Sequence, residues 1–241
     1  MPLKAVFFDI DDTLYSTTAF AAGARRNAIR AMVAAGLRVG ESEALAELDE
    51  VISEFSSNYE HHYEKLLLRF PESAVAGLNP AILVAAAVVA YHDTKEKHLK
   101  PFPDVAAAIP RLAKAGLTMG IITSGLTVKQ AEKLVRLGVL PHLDPQGIFI
   151  TEQLGISKPN PKLWQHACRE LKLKPADCAY VGDHPVHDVE PVRKIGMTAI
   201  LNRRGGKYEN TPAKVKPDYE IRDFDALIGI LGKDFGVKIP A

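Results

Sequence analysis

The stretch AVFFDIDDTLYS, residues 5–16, runs four apolar residues straight into three acids. Ala5 to Phe8 predicts a strand buried on both faces, because a short continuous apolar run closed by a turn signal has that pattern. Asp9, Asp11 and Asp12 follow at once. Carboxylates 4 Å apart repel by roughly 4 kcal/mol per pair at an intermediate dielectric, so acids gathered this closely need a cation or a shared proton. That need points to chemistry at the strand end.

Working outward, the totals are those of an ordinary globular protein. The chain has 241 residues, 47% hydrophobic and 24% charged, with a formal net charge of +1. This length buries a sizeable core and fits one large domain, alone or with a smaller lobe. The charge balance implies no nucleic-acid partner. Cys168 and Cys178 stand outside any C-x-x-C or zinc-finger spacing, which predicts free thiols in a reducing compartment. Asp9 interrupts the first apolar run, which therefore does not read as a signal peptide. The longest apolar segment, AILVAAAVVAYH from Ala81, is too short to span a bilayer and predicts a buried helix. A cytoplasmic protein with no membrane contact is expected.

Short apolar runs alternate with helical patterns over most of the chain, which predicts an α/β fold: a Rossmann-like, doubly wound parallel sheet. The strand candidates are LKAVFFDI, LTMGIITS, GIFI, CAYVGD and MTAILN. Helices are expected to begin near Asp104, Thr127, Asn160 and Val186, with Asn160 capping and Pro161 in the first turn. From Ser16 to Leu99 only helical periodicity is found, which predicts an all-helical insertion. The expected domains are a core of residues 1–15 and 100–241 and a helical cap of residues 16–99. Pro101 and Pro103 stiffen the return. NRRGGKYENTPAKVK, residues 202–216, reads as a solvated loop punctuated by glycine and proline.

Ligands of open α/β sheets bind beyond the carboxyl ends of the strands. The residues there are Asp9, Asp11, Asp12 and Thr13, then Thr123, Ser124 and Gly125, then Gly182, Asp183 and Asp188, with Lys158 ahead of the Asn160 helix. Carboxylates from two strand ends, without cysteine or a histidine pair, suit Mg2+ rather than Zn2+. A carboxylate beside a phosphate is also a nucleophile, once Mg2+ and Lys158 neutralise the phosphoryl oxygens. Thr123 Oγ1 and the amides of Ser124 and Gly125 would hold the other oxygens. In an extended backbone Asp11 projects to the same side as Asp9, within reach of a leaving oxygen, as a general acid and then base. Asp12 reads as a turn residue bonded to local backbone.

These residues resemble the haloacid dehalogenase-like superfamily in its phosphatase branch. Four motifs lie in the family's order: DIDDTL at Asp9, IITSG ending at Gly125, KPNP at Lys158 and GDHPVHD from Gly182 to Asp188. The resemblance implies Asp9 as nucleophile, Asp11 as general acid and base, Thr123 as phosphate hydroxyl and Lys158 as the stabilising charge. It also implies Mg2+ held by the Asp9 and Asp183 carboxylates and the Asp11 main-chain oxygen, with Asp188 in support. A helical cap between the first two motifs fits small phosphorylated metabolites. DDTLYST, RRNAI and PDYEI are similar in texture to archaeal phosphatases of the phosphoglycolate phosphatase type. His184 and Asn160 depart from the residues common at their places, which bears on substrate choice.

The expected activity is magnesium-dependent hydrolysis of small phosphate monoesters through an aspartyl phosphate, by a monomer or homodimer. The alternatives are a haloacid dehalogenase, which would need neither magnesium nor Asp11, a phosphonate hydrolase using Lys65 as a Schiff base, and a noncatalytic phosphate-binding module. His61, His62 and Tyr63 read as surface helical residues, as do Arg25 and Arg26, which alternatively face an anionic substrate. His184 and His187 are poor ligands for magnesium.

Overall fold

The computed structural model describes residues 3–240; residues 1–2 and 241, the ends of the expected core, lie outside the described residues. The chain divides into two compact units, one running to Thr18 and resuming at Lys100, the other Ala19–Leu99. In chain order, β1 (Ala5–Phe8) is followed by α1 (Thr17–Ala34), α2 (Glu41–Phe55), α3 (His62–Leu67), α4 (Glu72–Val75), α5 (Pro80–His98) and α6 (Pro103–Lys114). Then come β2 (Thr118–Thr123), α7 (Thr127–Leu137), β3 (Ile148–Ile150), α8 (Thr151–Leu154), α9 (Lys162–Glu170) and β4 (Cys178–Gly182). The chain closes with α10 (Glu190–Lys194), β5 (Thr198–Asn202), β6 (Tyr219–Ile221) and α11 (Phe224–Phe235).

The first unit is a parallel six-stranded sheet in the order β3-β2-β1-β4-β5-β6. The chain leaves β1 toward one edge, then crosses to the other side of β1 for β4, so a topological switch point lies beyond the carboxyl ends of β1 and β4. Register aligns those ends, with Phe8 opposite Ile121 on one side and Val181 on the other. Asp9 N–H donates to Val181 O at 2.9 Å, continuing the ladder by one bond.

Every residue of β1 is buried, as a strand covered on both faces requires. Ala5 and Phe7 join Ile122, Phe149, Trp164, Tyr180 and Leu201 in one core cluster. On the other side Phe8 stacks on Phe224 of α11 at 5.6 Å between ring centroids. β6 is absent from the strands read off the sequence. Three residues with Glu220 exposed at their centre give too short an apolar signal, yet Tyr219 to Ile221 pair with β5 at the sheet edge. The helix expected near Asn160 starts at Lys162, whose N–H donates to Asn160 Oδ1 at 3.1 Å. The one near Val186 opens as a π-helical turn, Pro185–Val189, leading into α10.

The second unit is all-helical, with its own core of residues including Ile29, Met32, Leu48, Leu66 and Leu83. Here α5 corrects the expected buried helix. Asn79 caps it by accepting from Ala81 N–H at 3.0 Å, but only Leu83, Ala87 and Thr94 are buried, while Ile82 and Val89 are 61% and 59% exposed. Its apolar residues encircle the helix, and a small lobe covers only one side. Among the described residues no helix is long and apolar enough to cross a membrane.

Candidate active site

At the switch point, Asp9 follows β1 while Asp183 and Asp188 follow β4, and one oxygen from each lies within 4.8 Å of the others. All three residues are buried. Lys158 Nζ enters the group at 3.0 Å from Asp9 Oδ1 and 2.8 Å from Asp188 Oδ1, and donates to Tyr180 OH at 2.6 Å. Tyr180 in turn donates to Ile122 O at 2.9 Å, tying Lys158 to the sheet.

Asp188, expected only in support, is here a full member of the carboxylate group. Gly182 is the reason: a Cβ there would stand 2.4 Å from Asp188 Oδ2, so only glycine admits that carboxylate. The turn is further fixed by His184, whose N–H donates to Asp188 Oδ2 at 3.0 Å and whose Nδ1 accepts from Val186 and His187 N–H, each at 3.2 Å.

Three carboxylates against one ammonium leave an excess of negative charge in a desolvated place. Burial pushes the Asp9 carboxyl up to about 6, with the Asp188 and Asp11 charges adding and Lys158 opposing. Burial, then the charges of Asp9, Asp188 and Asp12, push Asp183 up to about 9 despite Lys158. The lysine itself is raised, because Asp188 and Asp9 outweigh the cost of its burial. These shifts describe a set of oxygen donors short of a cation, and an all-carboxylate set fits a hard divalent ion such as Mg2+.

Asp11 stands outside this group. Its carboxylate accepts from Lys133 Nζ at 2.6 and 2.7 Å, from Thr17 Oγ1 at 2.6 Å, from Tyr15 OH at 2.8 Å and from Gln130 Nε2 at 3.3 Å. Burial works to raise its pKa, but the Lys133 charge and these hydrogen bonds prevail and hold it below the ordinary carboxylate value. Asp12, at φ 51°, binds Thr18 through both carboxylate oxygens, at 3.0 Å to N–H and 2.8 Å to Oγ1. That is the local turn role its residue type predicts.

Thr123 ends β2 fully buried, and its Oγ1 has no partner among the described residues. A buried hydroxyl left this way suits a ligand oxygen. Ser124 is exposed, with its carbonyl accepting from Gln130 Nε2 at 2.8 Å. The Gly125 amide, expected to face a phosphate, instead donates to Thr151 Oγ1 at 3.2 Å. At φ 141°, with Gln130 Nε2 2.4 Å from where a Cβ would stand, Gly125 serves the close approach of Gln130.

Sequence reasoning missed Lys133, Gln130 and Tyr180, and it misread the segment after β5. Arg203 Nη1 donates to the carbonyls of Tyr208, Glu209 and Thr211 at 3.2, 2.8 and 2.7 Å, folding residues 203–211 on themselves. Arg204 Nη2 donates to both Asp104 carboxylate oxygens, each at 2.7 Å, and the guanidinium lies over the Phe102 ring. Gly206, at φ 93°, abuts Asp12, and Asn202 Nδ2 donates to Asp12 O at 3.2 Å. Tyr208 packs on His184 at 4.0 Å, and His184 stacks on His187 at 3.9 Å. Residues 202–208 thus pack against the site as a wall, whereas Pro212, Lys214, Val215 and Lys216 are exposed, as expected of a solvated loop. The sequence signal of the wall is Gly206, which allows close packing on Asp12.

In the helical unit, Arg25 pairs with Asp49 at 3.3 Å and Arg26 is exposed. His61 pairs with Glu64 at 3.1 Å, His62 bonds Ser56 O at 2.8 Å, and Lys65 Nζ rests 5.8 Å from the Phe55 ring centroid. Tyr63 is partly buried, and that burial raises its hydroxyl pKa.

A family model described as haloacid dehalogenase-like hydrolase matches residues 3–196. A Methanopyrus kandleri protein named glyceraldehyde 3-phosphate phosphatase is 44% identical over 96% of this chain and 100% of its own. A Methanocaldococcus jannaschii protein of the same name is 33% identical over 95% and 97%. Among solved structures, a phosphatase from Thermococcus onnurineus aligns with a TM-score of 0.67 at 24% identity, over 95% of this chain and 98% of that one.

Proposed function

The chain belongs to the haloacid dehalogenase-like hydrolases and hydrolyses phosphoric monoesters; on that premise we propose a magnesium-dependent phosphatase acting through an aspartyl phosphate on Asp9, with glyceraldehyde 3-phosphate as substrate. The substrate is proposed from the names of the two archaeal relatives, which align over almost the whole chain. The observation that carries the mechanism is the union of Asp9, Asp183, Asp188 and Lys158 beyond β1 and β4.

The carboxylates of Asp9, Asp183 and Asp188 would hold Mg2+, with the Asp11 main-chain oxygen also assigned to it; bound there, the ion supplies positive charge to the phosphoryl oxygens. Lys158 orients the Asp9 carboxylate and adds a second positive charge. The free Asp9 oxygen attacks phosphorus, the ester P–O bond breaks, and Asp11, in the protonated form that each turnover regenerates, gives its proton to the departing alcohol oxygen. Water then attacks the phosphorus of the aspartyl phosphate and passes a proton to Asp11, and the Asp9–phosphorus bond breaks to release phosphate. Thr123 Oγ1 and the Ser124 amide hold phosphoryl oxygens through both halves. Cytoplasmic placement belongs to the same reading, supported by two buried free cysteines.

The test measures phosphate release from glyceraldehyde 3-phosphate, phosphoglycolate, a hexose phosphate and a nucleotide, with Mg2+ or with chelator, for the native protein and Asp9→Asn. Turnover confined to the native protein with Mg2+, and highest on the triose phosphate, is expected. Equal turnover by Asp9→Asn would remove that residue from its role, and metal-free turnover of a 2-haloacid would replace the phosphatase reading with a dehalogenase.

A further inference from the structure

Asp11 lies two residues beyond β1, but its carboxylate is oriented by α7. Lys133 and Gln130 are three residues apart on that helix and therefore share a face. Lys133 Nζ meets both Asp11 oxygens, and Gln130 Nε2 bridges Asp11 Oδ2 to the main-chain oxygen of Ser124. The pair thus fixes the carboxylate beside the turn after β2, apart from the Asp9, Asp183 and Asp188 oxygens. The Lys133 side chain is only 16% exposed.

We propose that Lys133 is a positioning residue for the phosphatase reaction, holding the Asp11 carboxylate on the phosphate-binding side so that it meets the ester oxygen as that oxygen departs. The inference rests on the assignment of Asp11 as general acid and base. Without Lys133, the Asp11 side chain keeps Tyr15, Thr17 and Gln130 but loses the two shortest bonds that set its orientation from α7.

Leaving-group dependence isolates this role. An alkyl alcohol departs as a strongly basic oxygen and needs a placed acid, whereas p-nitrophenolate departs without one. The experiment compares kcat/KM for glycerol 3-phosphate and p-nitrophenyl phosphate in the native protein, Lys133→Met, Lys133→Arg and Asp11→Asn, with Mg2+ present. The alkyl-to-aryl ratio within one preparation does not depend on the fraction folded. Lys133→Met is expected to lower that ratio roughly ten-fold or more, against the 10²–10⁴ that general acid catalysis typically contributes. Asp11→Asn should lower it further, and Lys133→Arg should recover part of it, mainly through kcat.

A native ratio in Lys133→Met beside a collapsed one in Asp11→Asn would overturn the proposal and leave Lys133 as a structural tie, while the Asp11 assignment stands. A native ratio in both variants would overturn the Asp11 assignment, and the role of Lys133 with it.

Discussion

Asp183 and Asp188 follow the same strand and face the same cluster, but substitution by asparagine should affect them oppositely. Asp188 is matched, by Lys158 Nζ at 2.8 Å and by His184 N–H at 3.0 Å. Asp188→Asn therefore takes a charge from a buried pair and should cost about 3 kcal/mol of stability in urea denaturation. Among the described residues Asp183 forms no ion pair, and its carboxyl is pushed up to about 9 by burial and by its acidic neighbours despite the charge of Lys158. Asp183→Asn removes that conflict, so the metal-free protein should become more stable while losing its stabilisation by Mg2+. The same shifts predict a pH dependence. Asp9 and Asp183 are raised from 3.8 to about 6 and about 9, so between pH 4 and 9 the folded protein retains protons that the unfolded chain has released. Stability with chelator present should then fall as pH rises through that window. Mg2+, which takes the ionised form, should stabilise more at pH 9 than at pH 5. A metal-free stability that rises over this range would contradict the cation-deficient reading of the cluster.

The elements differ in how far their roles can be read from residue order. β1, β2 and β4 are legible because each is an apolar run with its functional residue at or directly after its end, and the sheet aligns those ends. Lys133 is not, because its partner Asp11 is 122 positions away and a polar face on an amphipathic helix ordinarily meets water. The segment after β5 is illegible for another reason: its two arginines look like solvated charge until Arg203 is seen collecting three carbonyls. Two substitutions test its role as a wall of the site. Gly206→Ala forces a side chain into φ 93° and within 2.6 Å of Asp12 Cγ, which should cost about 1–3 kcal/mol in thermal unfolding. Arg203→Met leaves those carbonyls without their shared donor. Limited proteolysis should then cut between residues 205 and 215 well before the native protein is cut there, and unchanged cleavage would show that the loop holds itself without Arg203.

At the scale of the molecule, the parallel sheet follows from the alternation of apolar runs and helices, whereas the extent of burial in the helical unit does not. An alanine-rich helix such as α5 has the same composition whether it is covered on one side or all round, and coverage depends on how much lobe surrounds it. The two units bear on how the protein folds. The Ala19–Leu99 unit is continuous in sequence and buries its own apolar cluster, while the sheet unit closes around the gap. Within the sheet unit, Phe102 N–H donates to Leu14 O at 3.0 Å, so the outgoing and returning chains already touch next to β1. A flexible linker of about six glycine and serine residues in place of residues 19–99 therefore closes a short loop, at a small entropic cost. The shortened chain should fold cooperatively and keep its stabilisation by Mg2+, since every carboxylate of the cluster remains. It should also lose its preference among small phosphate esters, the selection attributed to the helical unit. Calorimetry with and without Mg2+, beside the substrate comparison already described, separates these effects. A shortened chain that unfolds without a cooperative transition would show that the sheet unit depends on the helical one for its stability.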